Sequence, residues 1–210
     1  MPIDAPGYPV NLLVAGKECL VVGGGVIGAR KAAGLLAAGA IVRVVASAVG
    51  GEVRELGVPY DERPYAPGDV DGCWLVITAT GDPAVNAAVA AEAAAARIWV
   101  NAADDPPSCT FTLPAVFRRG PVSVAVATGG YSPSLAGFLK AYLSEQVGPE
   151  WGELAAMLSA ARERIQAGGR STEQPDWREV VSSDMLDLIR SGQLDLAKER
   201  IEAWLSSSSD

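Results

Sequence analysis

Three consecutive glycines, Gly23-Gly24-Gly25, separate two segments of opposite character, and this junction limits the possible folds more than any other stretch. Before it, Glu18–Val22 is a short apolar run. After it, residues 29–38 are rich in helix formers and are closed by Gly39. The order is therefore strand, turn, helix. Residues 40–46 follow as a second run, β-branched and apolar on both faces apart from Arg43, as expected of a strand covered by helices. Two such strands joined through a helix form a βαβ unit, which requires them to be parallel.

The same grammar recurs downstream. Residues 74–78 repeat the strand pattern, and Asp82-Pro83 supplies an N-cap with proline at the first helical position of an alanine-rich helix reaching about residue 96. Residues 98–100 predict another strand, and Asp104-Asp105-Pro106-Pro107-Ser108 a loop at its C-terminal end. Residues 109–113 and 122–127 read as two strands joined by a turn through Arg118-Arg119-Gly120-Pro121. Thr128-Gly129-Gly130-Tyr131-Ser132-Pro133 is a second glycine corner, leading into a helix that ends near Gln146. Beyond Gly148 the pattern turns helical: Trp151, Leu154, Leu158, Ala161 and Ile165 keep helical spacing, and after a polar linker residues 177–190 and 194–205 predict two more helices.

Composition narrows the chemistry. Among 210 residues there is no histidine, which removes Ser-His and Cys-His catalysis and histidine metal ligation and leaves acid–base work to carboxylates, Lys, Tyr or Cys. A net charge of −8 without a basic cluster excludes the electrostatic footprint of nucleic-acid binding. Three cysteines, Cys19, Cys73 and Cys109, fit a reducing compartment better than a disulfide framework. With no leader pattern in the first ten residues and no apolar stretch of membrane-spanning length, the chain reads as cytoplasmic, with no membrane partner.

Gly23-x-Gly25-x-x-Gly28 fits the dinucleotide fingerprint. In a chain with 23 glycines the spacing alone is weak, and it gains force from the strand before and the helix after, whose first N–H groups would meet a pyrophosphate. The acidic residue expected roughly 20 residues on, which would hold the ribose 2′-hydroxyl, is missing: the second strand ends in Ala46-Ser47-Ala48. NAD and NADP both stay open. Asp104 and Asp105 lie where ligands bind in open α/β sheets and could act as a base, yet from the residues alone Asx-turn chemistry is the favoured account. Cys109 reads as a small buried residue, since no histidine is present to activate it. The Thr128–Ser132 corner suits an anion such as a carboxylate, with a plain capped turn as the alternative.

Taken in order, Gly23-Gly24-Gly25-x-x-x-x-Arg30-Lys31, Thr78-Ala79-Thr80-x-Asp82, Asn101-x-x-Asp104-Asp105, Arg119-Gly120-Pro121 and Thr128-Gly129-Gly130-x-Ser132-Pro133 resemble the precorrin-2 dehydrogenase family, the dehydrogenase and ferrochelatase half of siroheme synthase. The resemblance implies an α/β fold: a doubly wound, Rossmann-like parallel sheet, then a β-hairpin and dimerisation region, then an all-helical C-terminal extension. On that plan residues 1–112 bind NAD, 113–147 serve dimerisation and substrate binding, and 148–210 form a helical domain; with Asp210 as last residue this is the stand-alone form.

The implied activity is oxidation of precorrin-2, a tetrapyrrole, to sirohydrochlorin with NAD⁺, followed in some members by Fe²⁺ insertion in the same pocket. The implied assembly is a homodimer. By position, Asp104 becomes the catalytic carboxylate; Gly23, Gly25, Val26, Ile27, Gly28, Ser47, Ala48 and Thr80 would contact the cofactor. Asn101, Asp105, Arg119, Thr128, Gly129, Gly130, Ser132 and Lys140 would contact the substrate. Two rivals remain: a nonenzymatic NAD-sensing or tetrapyrrole-binding module, and an ordinary reductase for a small metabolite, which would need a Tyr-Lys or histidine acid that the motifs do not display.

Overall fold

In the computed structural model, which describes residues 7–103, 105–169, 171, 172 and 176–207, strand β1 (Glu18–Val22) is followed by helix α1 (Val26–Ala37) and strand β2 (Ile41–Ala46). Strand β1 lies between β2 and β4 (Leu75–Thr78): Val21 pairs with Val44 on one side and Ile77 on the other. With β3 (Tyr60–Glu62) and β5 (Trp99–Ala102) at the edges, five parallel strands take the order β3-β2-β1-β4-β5. The order reverses between β1 and β4, so a crevice opens there beyond the strand C-termini.

Alternate residues of β1 feed two cores, as a period of two demands. Cys19 and Val21 pack with Ala29, Ala32 and Leu35 of α1 and with Val53 of the short helix α2 (Gly51–Glu55). Leu20 and Val22 pack on the opposite face with Val89, Ala90 and Ala93 of α3 (Pro83–Ala95). The sheet is doubly wound. Burial of such a side chain is worth about 1.5–3 kcal/mol, which is why runs of mixed polarity are absent from β1 and β4. Asp82 caps α3 as its sequence predicts, accepting from the N–H groups of Ala84 and Val85.

Helix α2 is anchored in the core by Val53 alone, and the edge strand β3 is held largely by charge. Arg43 donates to Asp61 at 3.1 Å and to the Asp69 carbonyl at 2.8 Å, and Arg63 pairs with Asp69 at 2.6 Å. Arg43 thus ties the edge strand to the sheet.

This first compact unit runs through Leu113 and takes in Gly129–Ser132; the second holds Pro114–Thr128 and continues from Pro133. The second opens with the antiparallel pair β6 (Ala115–Arg119) and β7 (Val122–Val126), joined through Gly120-Pro121. The strand expected over 109–113 is therefore misplaced. There, Thr110 closes back on β5, exchanging bonds with Val100 through both its backbone and its hydroxyl, and side-chain bonds replace a ladder.

Helices α4 (Pro133–Gln146), α5 (Glu150–Ala167), α6 (Ser183–Arg190) and α7 (Leu194–Ser207) follow. Leu154, Ala161 and Ile165 of α5 form one core with Met185, Leu186 and Ile189 of α6 and Ala197, Ile201 and Leu205 of α7, against which Trp151, Trp177 and Trp204 pack. The single helix expected over 177–190 is broken: a 3₁₀ turn at Trp177–Glu179 gives way to Ser182, whose hydroxyl caps α6 by accepting from Met185 N–H. Glu150, buried, accepts two bonds from Arg190 and links the start of α5 to the end of α6. A Cβ on Gly152 would stand 2.5 Å from the Arg119 carbonyl, so the hairpin turn lies directly on α5.

Candidate dinucleotide site

Each glycine after β1 has a different reason to lack a side chain. Gly23 has φ +130°, and a Cβ there would lie 2.4 Å from the Ala79 carbonyl oxygen at the end of β4. On Gly24 it would lie 2.2 Å from the Ala48 oxygen beyond β2, and on Gly28 2.1 Å from the Gly23 oxygen, where α1 closes on β1. These three are fixed by packing. Gly25 differs: it is exposed, its φ is an ordinary −85°, and nothing lies within 4 Å of its would-be Cβ.

Gly25 is the N-cap of α1, yet no side chain caps this end and its first turn holds no acidic residue. A helix N-terminus carries roughly half a positive charge, and its first N–H groups need acceptors. An uncapped N-terminus behind an open glycine fits a pyrophosphate. Val26 and Ile27, 66% and 45% exposed, flank it with apolar surface.

The neighbouring loops are pinned around this turn. Ser47 and Ala48 are exposed just past β2, and Gly50 N–H donates to the Gly24 carbonyl at 2.9 Å. Past β4, Thr80 is held by buried Asn86, whose Oδ1 accepts from the Thr80 N–H at 3.2 Å and hydroxyl at 2.7 Å, and also from the Thr78 hydroxyl. Asn86 escaped the sequence reading, and Gly24, though part of the glycine run, was not among the expected site residues. The middle glycine of the run and a lone amide on an alanine-rich helix were the available signals.

At the end of β5, Asn101 is buried and its amide donates to the Phe111 carbonyl at 3.0 Å. Ala103 N–H reaches the Thr78 carbonyl at 2.8 Å, closing the two strand ends together. The Asp105 carboxylate accepts from the Ser108 hydroxyl at 2.6 Å, which is turn chemistry. Asp104 lies outside the described residues. Cys109, expected to be buried, is half-buried; desolvation raises its thiol above its ordinary range, and it donates to the Ala102 carbonyl at 3.3 Å, so at neutral pH it is a thiol. Cys19, deeper in the sheet, is pushed up to about 11 by burial and by Cys73 and Glu18.

Gly129 and Gly130 stand in successive left-handed conformations, at φ +58° and +79°, followed by exposed Tyr131 and half-buried Ser132. In the second unit, Thr128 and Lys140 are half-buried. Arg119 donates to the carbonyls of Val147 at 2.9 Å and Ser144 at 2.7 Å, where it satisfies the C-terminal end of α4. Among the described residues, no group of three or more His, Cys, Asp or Glu is arranged to hold a metal ion, and no helix is long and apolar enough to cross a membrane.

The family model described as "Putative NAD(P)-binding" matches residues 10–115, half of the chain. The chain belongs to this NAD(P)-binding family. All eight residues expected at the cofactor fall within the matched span. Siroheme synthase of Pseudomonas entomophila (strain L48) is 38% identical over 206 residues, 95% of this chain and 44% of that protein. Siroheme synthase of Azotobacter vinelandii is 37% identical over 199 residues, 92% of this chain and 43% of that protein. The chain thus spans less than half the length of these relatives. Among solved structures, SirC, a precorrin-2 dehydrogenase, matches with a TM-score of 0.68 at 28% identity, covering 96% of this chain and 98% of that one. Its likeness extends through the hairpin and the C-terminal helices, beyond the NAD(P)-binding span.

Proposed function

We propose that this protein oxidises precorrin-2 to sirohydrochlorin with NAD⁺. The observation that carries the reading is the end-to-end match to a precorrin-2 dehydrogenase, helical extension included, in a chain whose glycine turn is open and uncapped.

When bound, the nicotinamide supplies the hydride acceptor. The backbone N–H groups of Val26, Ile27 and Gly28 hold the pyrophosphate, Ser47 and Ala48 border the adenosine ribose, and Thr80, fixed by Asn86, lines the crevice. Asp104 takes the proton that leaves the macrocycle with the hydride. For the carboxylates of the substrate, the proposed clamps are Lys140 and the N–H groups of Gly129 and Gly130, with Thr128 and Ser132 beside them. Asn101 is fixed by the Phe111 carbonyl and Asp105 by Ser108 at the end of β5, and Arg119, with its carbonyl partners, acts by fixing the hairpin to α4. On this reading residues 1–112 hold the cofactor, 113–147 the substrate and the partner subunit, and 148–210 the helical support. Iron insertion is proposed as a second step, with Fe²⁺ as substrate.

The partner is a second copy of the chain. Leu135, Phe138 and Tyr142 form a stripe along α4, 48%, 67% and 53% exposed, whereas most apolar residues of α5 to α7 pack into one core, Leu194 and Leu196 excepted. The exposed rings of Phe138 and Tyr142 are apolar surface that a two-fold contact would bury. Light scattering is expected to give twice the chain mass for the wild type and a single chain mass for Phe138→Glu; dimers that persist in the variant contradict this placement.

The activity is tested by anaerobic incubation of the protein with precorrin-2 and NAD⁺, followed by Fe²⁺, while the absorption spectrum is recorded. Conversion to sirohydrochlorin on adding NAD⁺ is the expected result, with a second change on adding iron. A nonenzymatic NAD-sensing module would bind the nucleotide and leave the spectrum of precorrin-2 unchanged.

A further inference from the structure

The second strand lacks the acidic residue that commonly distinguishes NAD from NADP, but the neighbouring edge strand brings one to the same place. Glu62, the last residue of β3, is in register with Ala46, the last residue of β2. Its Oε1 accepts the Val49 N–H at 3.1 Å, and its Oε2 accepts from Arg54 Nη2 at 2.9 Å. The loop so held is the one against the glycine turn: the Ala48 oxygen abuts Gly24, and Gly50 N–H donates to the Gly24 carbonyl.

Arg54, the cation at this lip, is engaged on every side. Its other terminal nitrogen donates to the Tyr60 hydroxyl at 2.5 Å, its Nε donates to the Val49 carbonyl at 3.3 Å, and its guanidinium lies over the Tyr60 ring at 5.0 Å. Glu62 and Arg54 are both close to half-exposed, so a ligand at the end of β2 meets the pair directly. The Val49 N–H and Arg54 hold the Glu62 carboxyl below its ordinary range, and it is ionised at neutral pH.

We infer that Glu62 makes this site select NAD over NADP: it sets a negative charge at the end of β2 and occupies the arginine that a 2′-phosphate would need. The inference rests on the glycine turn being the dinucleotide site and names the residue that discriminates within it. A 2′-phosphate there meets a carboxylate and finds the guanidinium already paired, whereas a 2′-hydroxyl brings no charge.

Equilibrium titration of the full chain with NADH and with NADPH tests this without turnover. The wild type is expected to bind NADH more tightly. Glu62→Gln is expected to shift the ratio of dissociation constants toward NADPH by about tenfold or more, as one charge is removed and Arg54 is released. Adding Arg54→Leu to that variant is expected to abolish the gain, an outcome that a merely structural role for Glu62 does not produce. Arg54→Leu alone is expected to weaken NADPH further and leave NADH near its wild-type affinity. An unchanged ratio in Glu62→Gln, or a wild type that prefers NADPH, overturns the inference while leaving the cofactor site standing. A wild type that binds neither nucleotide removes the site itself.

Discussion

Gly25→Asp is expected to weaken NAD⁺ binding by about a hundredfold or more while leaving the protein as stable as before, or more so. The two halves of this result have one cause. Nothing within 4 Å opposes a side chain at residue 25, its backbone is extended, and it already stands at the N-cap of α1. Aspartate is among the best N-caps and contributes about a few tenths of a kcal/mol over glycine by accepting from the first N–H groups of the helix. Those are the donors a pyrophosphate requires, and the new carboxylate both occupies them and repels the ligand. Calorimetric titration with NAD⁺ and a thermal melt, performed on one preparation, read the two halves. Wild-type affinity in the variant contradicts the assignment of this turn.

Asp104→Ala is expected to reduce the oxidation of precorrin-2 by a factor of about 10²–10⁴, the usual reach of a general base, with NAD⁺ affinity near wild type. The family resemblance supplies the role, and the neighbouring side chains leave few rivals for it. The adjacent carboxylate of Asp105 is engaged by the Ser108 hydroxyl, and Cys109 is a half-buried thiol whose ionisation desolvation suppresses. No histidine exists to share the work. NADH formation and NAD⁺ titration, run on the same variant, separate a chemical defect from a binding defect. Turnover at the wild-type rate contradicts the role given to Asp104.

The strand, glycine turn and helix at residues 18–37 were legible because every local signal agrees there: an apolar run, three glycines and a block of helix formers. Where the structure departs from the reading, the determinants are not local. Cys109, Phe111 and Leu113 alternate like a strand, but Thr110 and Asn101 anchor that segment by side-chain bonds that no periodicity reveals. The edge strand Tyr60–Glu62 has no buried apolar residue, and it is tied down by Arg43 of the neighbouring strand and by Arg54 and Arg63. The break before α6 follows from the hydroxyl of Ser182 competing with continued helix.

The candidate site divides in the same way. Gly23, Gly25 and Gly28 follow from spacing and context, whereas Asn86 and Glu62 act through partners that only the folded sheet brings to them. The missing acid at the end of β2 was visible in the sequence as a gap. Its replacement, reached through the register of Ala46 with Glu62, was not.

The most direct measurement counts products in an anaerobic reaction of the full chain with limiting precorrin-2 and excess NAD⁺. Removing a hydride and a proton from the macrocycle converts one NAD⁺ to NADH, so the account predicts NADH and sirohydrochlorin in equal amounts, with both absent when NAD⁺ is omitted. Precorrin-2 left intact beside bound NAD⁺, or oxidised with no NADH formed, would contradict it.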